Sequence, residues 1–136
     1  GGHFSVITTL KRSIPALKKN LKNYGLYDNC VSLSSVDIPV LELESNLNLT
    51  EQKIEEKIKE ILDNSDTEIF VLGCAGMADF AIKMKKKYNI PVIEGISVAV
   101  KFAESFIDLD LKTSSRNSFA MPRSKKFTGI FKNFEV

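Results

Sequence analysis

The chain has 136 residues, 43% hydrophobic and 26% charged, with a formal net charge of +2 at pH 7, which indicates one globular domain. Nineteen basic residues against seventeen acidic ones leave too few surplus cations for a nucleic-acid-binding protein, which needs clustered positive charge. Because no apolar run approaches the roughly 18 residues of a membrane span and two cysteines are too few for a disulfide framework, we expect a soluble cytoplasmic domain with free thiols.

The first half of the chain alternates strand and helix patterns. Phe4–Thr8 is short and contains β-branched residues, which predicts a strand. Ser13 near the N-cap and Gly25 at the stop delimit a predicted helix. Cys30–Val36 alternates apolar and polar residues for most of its length and predicts a second strand. The predicted inward face of the helix consists of Ile14, Leu17, Leu21 and Tyr24.

The second half continues this alternation. Thr50 is predicted to cap an amphipathic helix. Glu68–Leu72 is nearly continuous in apolar residues, which is typical of a central strand covered on both faces, and Pro91–Ile93 predicts a fourth strand. Helical spacing predicts three inward-facing sets: Ile54, Ile58, Ile61 and Leu62; Met77, Phe80, Ala81 and Met84; and Ala99, Phe102, Ala103, Phe106 and Ile107.

Four successive β-α units predict an α/β fold, because right-handed crossovers between parallel strands leave few other arrangements. We expect a flavodoxin-like, mostly parallel four-stranded sheet with helices on both faces. A strand order of 2-1-3-4 would place the first and third strands side by side at the switch point. We assign residues 1–111 to this domain and residues 112–136, which lose periodicity but keep several phenylalanines, to an irregular C-terminal tail.

Ligands of open α/β sheets bind outside the carboxyl ends of the strands, and Cys74 lies at such an end. It stands in the segment Gly73-Cys74-Ala75-Gly76, one turn before a predicted helix. The unpaired N–H groups and positive dipole of a helix N-terminus favour a thiolate, and they can hold a carboxylate or an enolate oxygen. A packed thiol in a turn that needs glycine is the alternative, and spacing alone leaves both open.

Other polar residues at this edge are ambiguous. Thr8 and Thr9 either hydrogen-bond a polar ligand or satisfy their own turn. Arg12 either holds an anionic substrate or is solvated. Glu94 either orients a thiol or a ligand amide, or caps the helix that follows it, and Asp37 is open in the same way.

The sequence disfavours several other catalytic schemes. Cys30 lies at the amino end of its strand, on the rim opposite Cys74, so we expect it only to pack. His3 is the sole histidine and stands at the start of the sequence, which disfavours a Cys-His dyad or a histidine-rich metal site. The glycine patterns of dinucleotide and P-loop sites are missing, and we expect neither a metal nor a cofactor.

Four segments and the tail carry a resemblance to a known family. The segments are Phe4–Leu10, Arg12–Pro15, Leu72–Met77 and Pro91–Ile96. The tail, from residue 112 to residue 129, is similar to the end of the same proteins. Together they resemble the aspartate/glutamate/hydantoin racemase superfamily, and its hydantoin and allantoin racemase branch in particular.

The resemblance implies a two-domain, cofactor-independent racemase in which two cysteines face each other across the substrate stereocentre. Cys74 matches the second of these cysteines, and Thr8 and Thr9 match the family's binding threonines. The first cysteine belongs to a preceding β/α region that this sequence lacks, and Cys30 does not match it. We therefore expect an incomplete fragment, the second domain of such an enzyme, with little or no racemase activity alone, since inversion needs an acid and a base on opposite faces.

The site expected from the residues and the resemblance together has Cys74 as its catalytic acid/base. The expected substrate-binding residues are Thr8, Thr9, Gly73, Ala75, Gly76 and Glu94. The substrate class is an amino acid, a hydantoin or allantoin, and the chain is expected to form a homo-oligomer or to pair with a missing N-terminal domain. The alternatives are a decarboxylase or cis-trans isomerase of the same superfamily, and a non-catalytic ligand-binding or interaction module.

Overall fold

Four strands and four α-helices alternate along residues 2–134, the part of the chain that the computed structural model describes. The strands are β1 (Phe4–Thr8), β2 (Cys30–Ser35), β3 (Ile69–Leu72) and β4 (Val92–Glu94). The helices are α1 (Ile14–Asn23), α2 (Leu47–Asn64), α3 (Ala78–Tyr88) and α4 (Gly95–Asp108). The chain divides into two units, residues 1–102 and 103–136, and α4 continues from the first into the second.

The sheet of the first unit confirms the predicted α/β architecture. Its strand order is β2-β1-β3-β4, and every pair of neighbours is parallel. The apolar strand β3 lies in the interior of the sheet, beside β1, as its sequence predicted. Because all four strands run in the same direction, their carboxyl ends share one edge, and the switch point lies between β1 and β3.

A single core joins one face of the sheet to α2 and α3. Phe70 and Leu72 of β3 alternate onto this face and are at most 1% exposed. The inward residues predicted for α2 and α3 are confirmed, since Ile54, Ile58, Ile61, Met77, Phe80, Ala81 and Met84 are buried and Leu62 packs against them. Burial of an aliphatic or aromatic side chain of this size contributes about 1.5–3 kcal/mol, so this cluster is the main source of the fold's stability.

The start of α2 differs from the prediction. Asn46, not Thr50, is the N-cap, because its side-chain oxygen accepts the N–H of Leu49 at 3.1 Å. Thr50 lies inside the first turn, is 1% exposed, and donates its hydroxyl to the Leu43 carbonyl at 3.0 Å. Thr50 therefore does not cap the helix; its hydrogen bond links α2 to the segment before it.

The helices α1 and α4 also differ from expectation in their inward faces. Tyr24 is 73% exposed, because it is the C-cap residue where the chain leaves α1 and turns at Gly25, whose φ is +69°. Ile14, Leu17 and Leu21 are only partly buried. Helix α4 contributes no buried residue, so its predicted inward residues are not covered.

The second unit contains the end of α4 and two short 3-10 segments, Asn117–Phe119 and Gly129–Phe134. The described residues between them form no strand or α-helix, in keeping with the irregular tail expected from residue 112 onward. The domain boundary assigned at residue 111 stays a prediction. None of the described helices combines the length and apolar character needed to cross a bilayer.

Candidate active site

The carboxyl ends of three strands bring the predicted site residues to one edge of the sheet. The register pairs Ile7 with Leu72, and Leu72 with Glu94. Gly73 extends this ladder, because its N–H donates to the Ile7 carbonyl at 2.8 Å. Thr8 at the end of β1, the turn after β3, and Glu94 at the end of β4 are therefore consecutive along the edge.

Cys74 opens the turn that leads from β3 into α3. Its backbone is extended, with φ −147° and ψ 137°, and its carbonyl accepts the N–H of Met77 at 3.0 Å. This bond closes a 3-10 turn over Ala75–Met77, so helical backbone begins directly after the cysteine. The first N–H groups of such a run have no partner within the helix. The side chain is partly buried and packs against the edge of the core.

The two glycines of this turn fit against different neighbours. A Cβ on Gly73 would lie 3.5–3.6 Å from atoms of Val6, Ile7 and Thr8, which is ordinary contact and shows how closely the turn approaches β1. A Cβ on Gly76 would lie only 2.9 Å from Cδ1 of Leu43, and 4.0 Å from the sulfur of Cys74. Leu43 therefore leaves no room for a side chain at Gly76. Only glycine fits here without a shift of the turn that carries the thiol.

The two threonines at the end of β1 are almost fully buried. Thr8 is 2% exposed and Thr9 is 5% exposed. Their carbonyls accept the N–H groups of Val36 at 3.0 Å and Ile38 at 3.1 Å, which extends the pairing of β1 with the chain after β2. Thr8 also lies against Gly73, so the structure brings this threonine beside the Cys74 turn as the strand order predicted.

Arg12 and Asp37 lie near the same edge, and both are exposed. Arg12 is in the 3-10 turn Lys11–Ser13 that follows β1. Asp37 follows β2 with φ +57°, a left-handed conformation that aspartate tolerates better than most residues. Solvation accounts for both side chains without a ligand.

The sequence did not predict that the leucine-containing segment 41–49 lines a groove beside Gly76. A groove of about 410 Å³ lies there, and it is lined by Glu44, Leu47, Gly76, Asp79, Phe80 and Lys83. Leu43, which lies in this segment, is fully buried and contacts the glycine turn from below. The only signal in the sequence was the run of leucines between residues 41 and 49, which has no clear period.

Comparison with known proteins decides the family. The family model of Asp/Glu/hydantoin racemases matches residues 1–103. The chain belongs to the Asp/Glu/hydantoin racemase family. The resemblance carried by the strand-end segments is thereby confirmed.

Relatives in this family include hydantoin and allantoin racemases. A hydantoin racemase of Rhizobium meliloti is 37% identical over 126 residues, which is 93% of this chain and 52% of that protein. The solved allantoin racemase of Klebsiella pneumoniae is 36% identical with a TM-score of 0.85, covering 97% of this chain and 54% of the other. That of Pseudomonas fluorescens has a TM-score of 0.79 at 36% identity, covering 95% and 55%. The chain thus spans about half the length of these racemases.

The other titratable candidates of this racemase-family chain lie at the opposite edge of the sheet. Cys30 begins β2 and pairs with Phe4 at the start of β1. Its thiol donates to the Ser32 carbonyl at 3.3 Å, and burial raises the pKa of Cys30. His3 precedes β1 and approaches Asp66 at 3.5 Å. The sole histidine and the second thiol are therefore remote from Cys74, as expected.

The carboxylate of Glu94 accepts hydrogen bonds from the backbone at the start of α4. Glu94 is 6% exposed, and its two carboxylate oxygens accept the N–H groups of Ile96 at 2.7 Å and Ser97 at 2.9 Å. Hydrogen bonds from the Ser97 side chain and from these two N–H groups lower the pKa of Glu94, against the opposing effect of burial. The helix-capping alternative is therefore realised, and any substrate contact would use the remaining lone pairs.

Glu94→Gln is expected to lower the free energy of unfolding at neutral pH, because an amide accepts these hydrogen bonds less strongly than a carboxylate. Folding lowers the pKa of Glu94, so its contribution is present above the unfolded pKa of about 4.3 and is lost as the pH falls through the folded value. Urea unfolding is measured between about pH 7 and pH 3. The difference in free energy of unfolding between the parent and Glu94→Gln should shrink as the pH falls. Asp63→Asn, at an exposed carboxylate of α2, is the matched control; a gap that is independent of pH would contradict the assignment.

Proposed function

We propose that this chain is one half of a cofactor-independent racemase that transfers a proton at a stereocentre beside a carbonyl group, with Cys74 as one of two acid/base thiols. Family membership and the names of the hydantoin and allantoin racemases support the reaction class and a small substrate such as a hydantoin or allantoin. The observation that carries the proposal is the position of Cys74, partly buried and immediately before a helical turn, at the carboxyl-end edge of the sheet.

In the proposed reaction one thiolate accepts a proton from the substrate and a second thiol donates a proton to it. The Cys74 thiolate removes the proton from the stereocentre and becomes a thiol, while the electron pair of the broken C–H bond moves onto the adjacent carbonyl as an enolate. A second thiol on the opposite face then gives its proton to the same carbon and becomes a thiolate. The product has the opposite configuration, and the reverse reaction begins from the other thiolate.

The residues around Cys74 have supporting roles in this proposal. The N–H groups of Ala75 and Gly76, at the start of the helical turn after Cys74, would stabilise the enolate oxygen in this proposal, with Gly73 holding the turn to β1. Thr8 and Thr9 provide hydroxyl groups at the neighbouring strand end for polar atoms of the substrate. Glu94 acts as a positioning residue that fixes the start of α4 beside the site.

A single copy of the chain has one thiol at this edge. Cys30 and His3 lie at the other end of the sheet, so neither reaches the second face of a substrate held against Cys74. We therefore propose that the chain is incomplete as a racemase, and that the second acid/base group comes from outside a single copy. Its two free cysteines suit a reducing compartment, and we propose the cytoplasm.

Deuterium incorporation tests this function. The chain is incubated in D₂O with each enantiomer of a 5-substituted hydantoin and of allantoin, and mass spectrometry with chiral chromatography follows the stereocentre. A single thiol exchanges the proton of one enantiomer with retention, because it removes and returns the proton on the same face. Absence of any enzyme-dependent exchange from all four substrates, with a folded protein, would contradict the proposal.

A further inference from the structure

A buried hydroxyl inside α2 is bonded to the segment that precedes this helix. Thr50 is 1% exposed, and its hydroxyl donates to the Leu43 carbonyl at 3.0 Å. A threonine in a helix normally returns its hydroxyl to a carbonyl three or four residues back. The Thr50 bond instead reaches seven residues back, to a residue outside α2. This hydroxyl therefore holds the segment before the helix rather than the helix itself.

The segment from residue 40 to residue 45 has no comparable bond to a helix in the described part of the chain. The Leu43 N–H donates to the Val40 carbonyl at 3.2 Å. The Ser45 hydroxyl donates to the Glu42 carbonyl at 2.9 Å. Both bonds join residues three apart, so they shape the segment without fixing it to a neighbouring element. The Thr50 hydroxyl is what attaches the backbone of this segment to α2.

The side chain of the same leucine extends the connection to the Cys74 turn. Leu43 is fully buried in the core cluster against which Cys74 packs. Its Cδ1 lies 2.9 Å from the position that a Cβ on Gly76 would occupy, and the sulfur of Cys74 lies 4.0 Å from that position. A close-packed interior transmits strain from one side chain to the next. One buried leucine thus connects the Thr50 hydroxyl to the turn that carries the thiol.

We propose that Thr50 is a positioning residue for the proton transfer. Its hydroxyl holds the backbone of Leu43, and the Leu43 side chain sets the position of the Cys74 turn. Thr50 acts from within the core and does not contact the substrate. This inference rests on the proposed function, because it names a residue that places the acid/base group of that reaction.

The expected effect falls on the chemical step. Proton transfer requires the sulfur to lie within hydrogen-bonding reach of the proton that it removes, and a misplacement of about 1 Å lowers such a rate by as much as about 100-fold. Substrate binding uses other groups of the proposed site, Thr8 and Thr9 among them. Loss of the Thr50 bond is therefore expected to lower kcat much more than it raises KM.

Thr50→Val tests this role, because it removes the hydroxyl and keeps the size and branching of the side chain. Deuterium exchange at the substrate stereocentre is measured in D₂O, and kcat is expected to fall about 10- to 100-fold with KM nearly unchanged. Thr50→Ser, which retains a hydroxyl, is expected to recover most of the kcat of the parent. An unchanged kcat in a folded Thr50→Val chain, or a Thr50→Ser chain as slow as Thr50→Val, would overturn the inference.

Thr67→Val is the matched control, because it removes a buried hydroxyl at the opposite edge of the sheet. Thr67 is 8% exposed, and its hydroxyl oxygen lies 2.6 Å from that of Ser5 and 2.8 Å from that of Ser65. It precedes β3, whereas the thiol follows that strand. Thr67→Val is expected to lower stability but not the kcat of the folded chain. Equal losses of kcat in Thr67→Val and Thr50→Val would show a general effect of stability and overturn the inference.

Amide hydrogen exchange follows the turn without reference to catalysis. The Met77 N–H closes the turn by its bond to the Cys74 carbonyl at 3.0 Å. The Phe70 N–H, bonded to the Pro91 carbonyl at 2.9 Å, is the reference in β3. In Thr50→Val the protection of Met77 relative to Phe70 is expected to fall about tenfold, the effect of one lost buried hydrogen bond. An unchanged ratio would overturn the link between Thr50 and the turn.

These measurements separate this inference from the proposed function. A parent chain without deuterium exchange on any substrate contradicts the proposed function, whereas the amide measurement still decides whether Thr50 holds the turn. Where Thr50→Val does not fold, Leu43→Val takes its place, because it keeps the carbonyl bond and withdraws side-chain atoms from Gly76. Leu43→Val is expected to lower the protection of Met77 and kcat together, and a folded Leu43→Val chain with both unchanged would overturn the inference.

Discussion

Cys74→Ser is expected to lower enzyme-dependent deuterium incorporation at the substrate stereocentre by about 10²–10⁴-fold, the usual contribution of a positioned general acid or base. A serine hydroxyl preserves the size and the turn but is not ionised near neutral pH, so it cannot serve as the base. The rate is measured by mass spectrometry in D₂O at saturating substrate. Substrate binding should change far less than the exchange rate, because the turn backbone and the threonines remain.

Cys30→Ser is the matched control for this loss. Cys30 lies at the amino end of β2, far from the site, and its thiol donates to the Ser32 carbonyl. Burial raises the pKa of Cys30, which disfavours the thiolate that would act as the base. The exchange rate of a folded Cys30→Ser chain should equal that of the parent. Retained exchange in Cys74→Ser, or loss of exchange in Cys30→Ser alone, would remove Cys74 from the mechanism.

The sheet and the location of Cys74 were predictable because both depend on local pattern. β3 is a short apolar run that ends at a glycine, and such a strand belongs in the interior of a parallel sheet. Once β1 and β3 are neighbours, the residues after them must meet at the same edge. The position of Thr8 beside Gly73 follows from that topology without any knowledge of side-chain packing.

Other features could not be predicted because the sequence allows two local arrangements that are equally favourable, and tertiary contacts decide between them. Asn46 and Thr50 are both good N-cap residues, and the buried bond from Thr50 to the Leu43 carbonyl decides between them. Glu94 could equally reach a ligand or its own helix, and only the side-chain conformation shows the two bonds to α4. The apolar pattern of α4 predicted an inward face, but none of the residues of this helix is buried in the structure.

The contact between Gly76 and Leu43 joins the core to the site, so a substitution at Gly76 is expected to change both stability and the geometry around Cys74. Gly76→Ala places a Cβ 2.9 Å from Cδ1 of a fully buried leucine, which cannot move freely in a close-packed core. We expect a loss of about 1–3 kcal/mol in the free energy of unfolding, as for other overpacked cores. Deuterium exchange should fall as well, because the turn that must shift carries the thiol.

A double-mutant cycle with Leu43→Ala tests the origin of this cost. Leu43→Ala alone is expected to lose about 2–5 kcal/mol by leaving a cavity, and in that background Gly76→Ala should cost little or restore stability, because its methyl group enters the vacated space. Gly95→Ala is the matched control, since no atom beyond its chain neighbours and the nearby backbone of α4 lies within 4 Å of the Cβ position. Urea denaturation measures all four combinations. A penalty for Gly76→Ala that persists unchanged in the Leu43→Ala background would show that the leucine does not hold the turn, and the link between the core and the geometry of Cys74 would be lost.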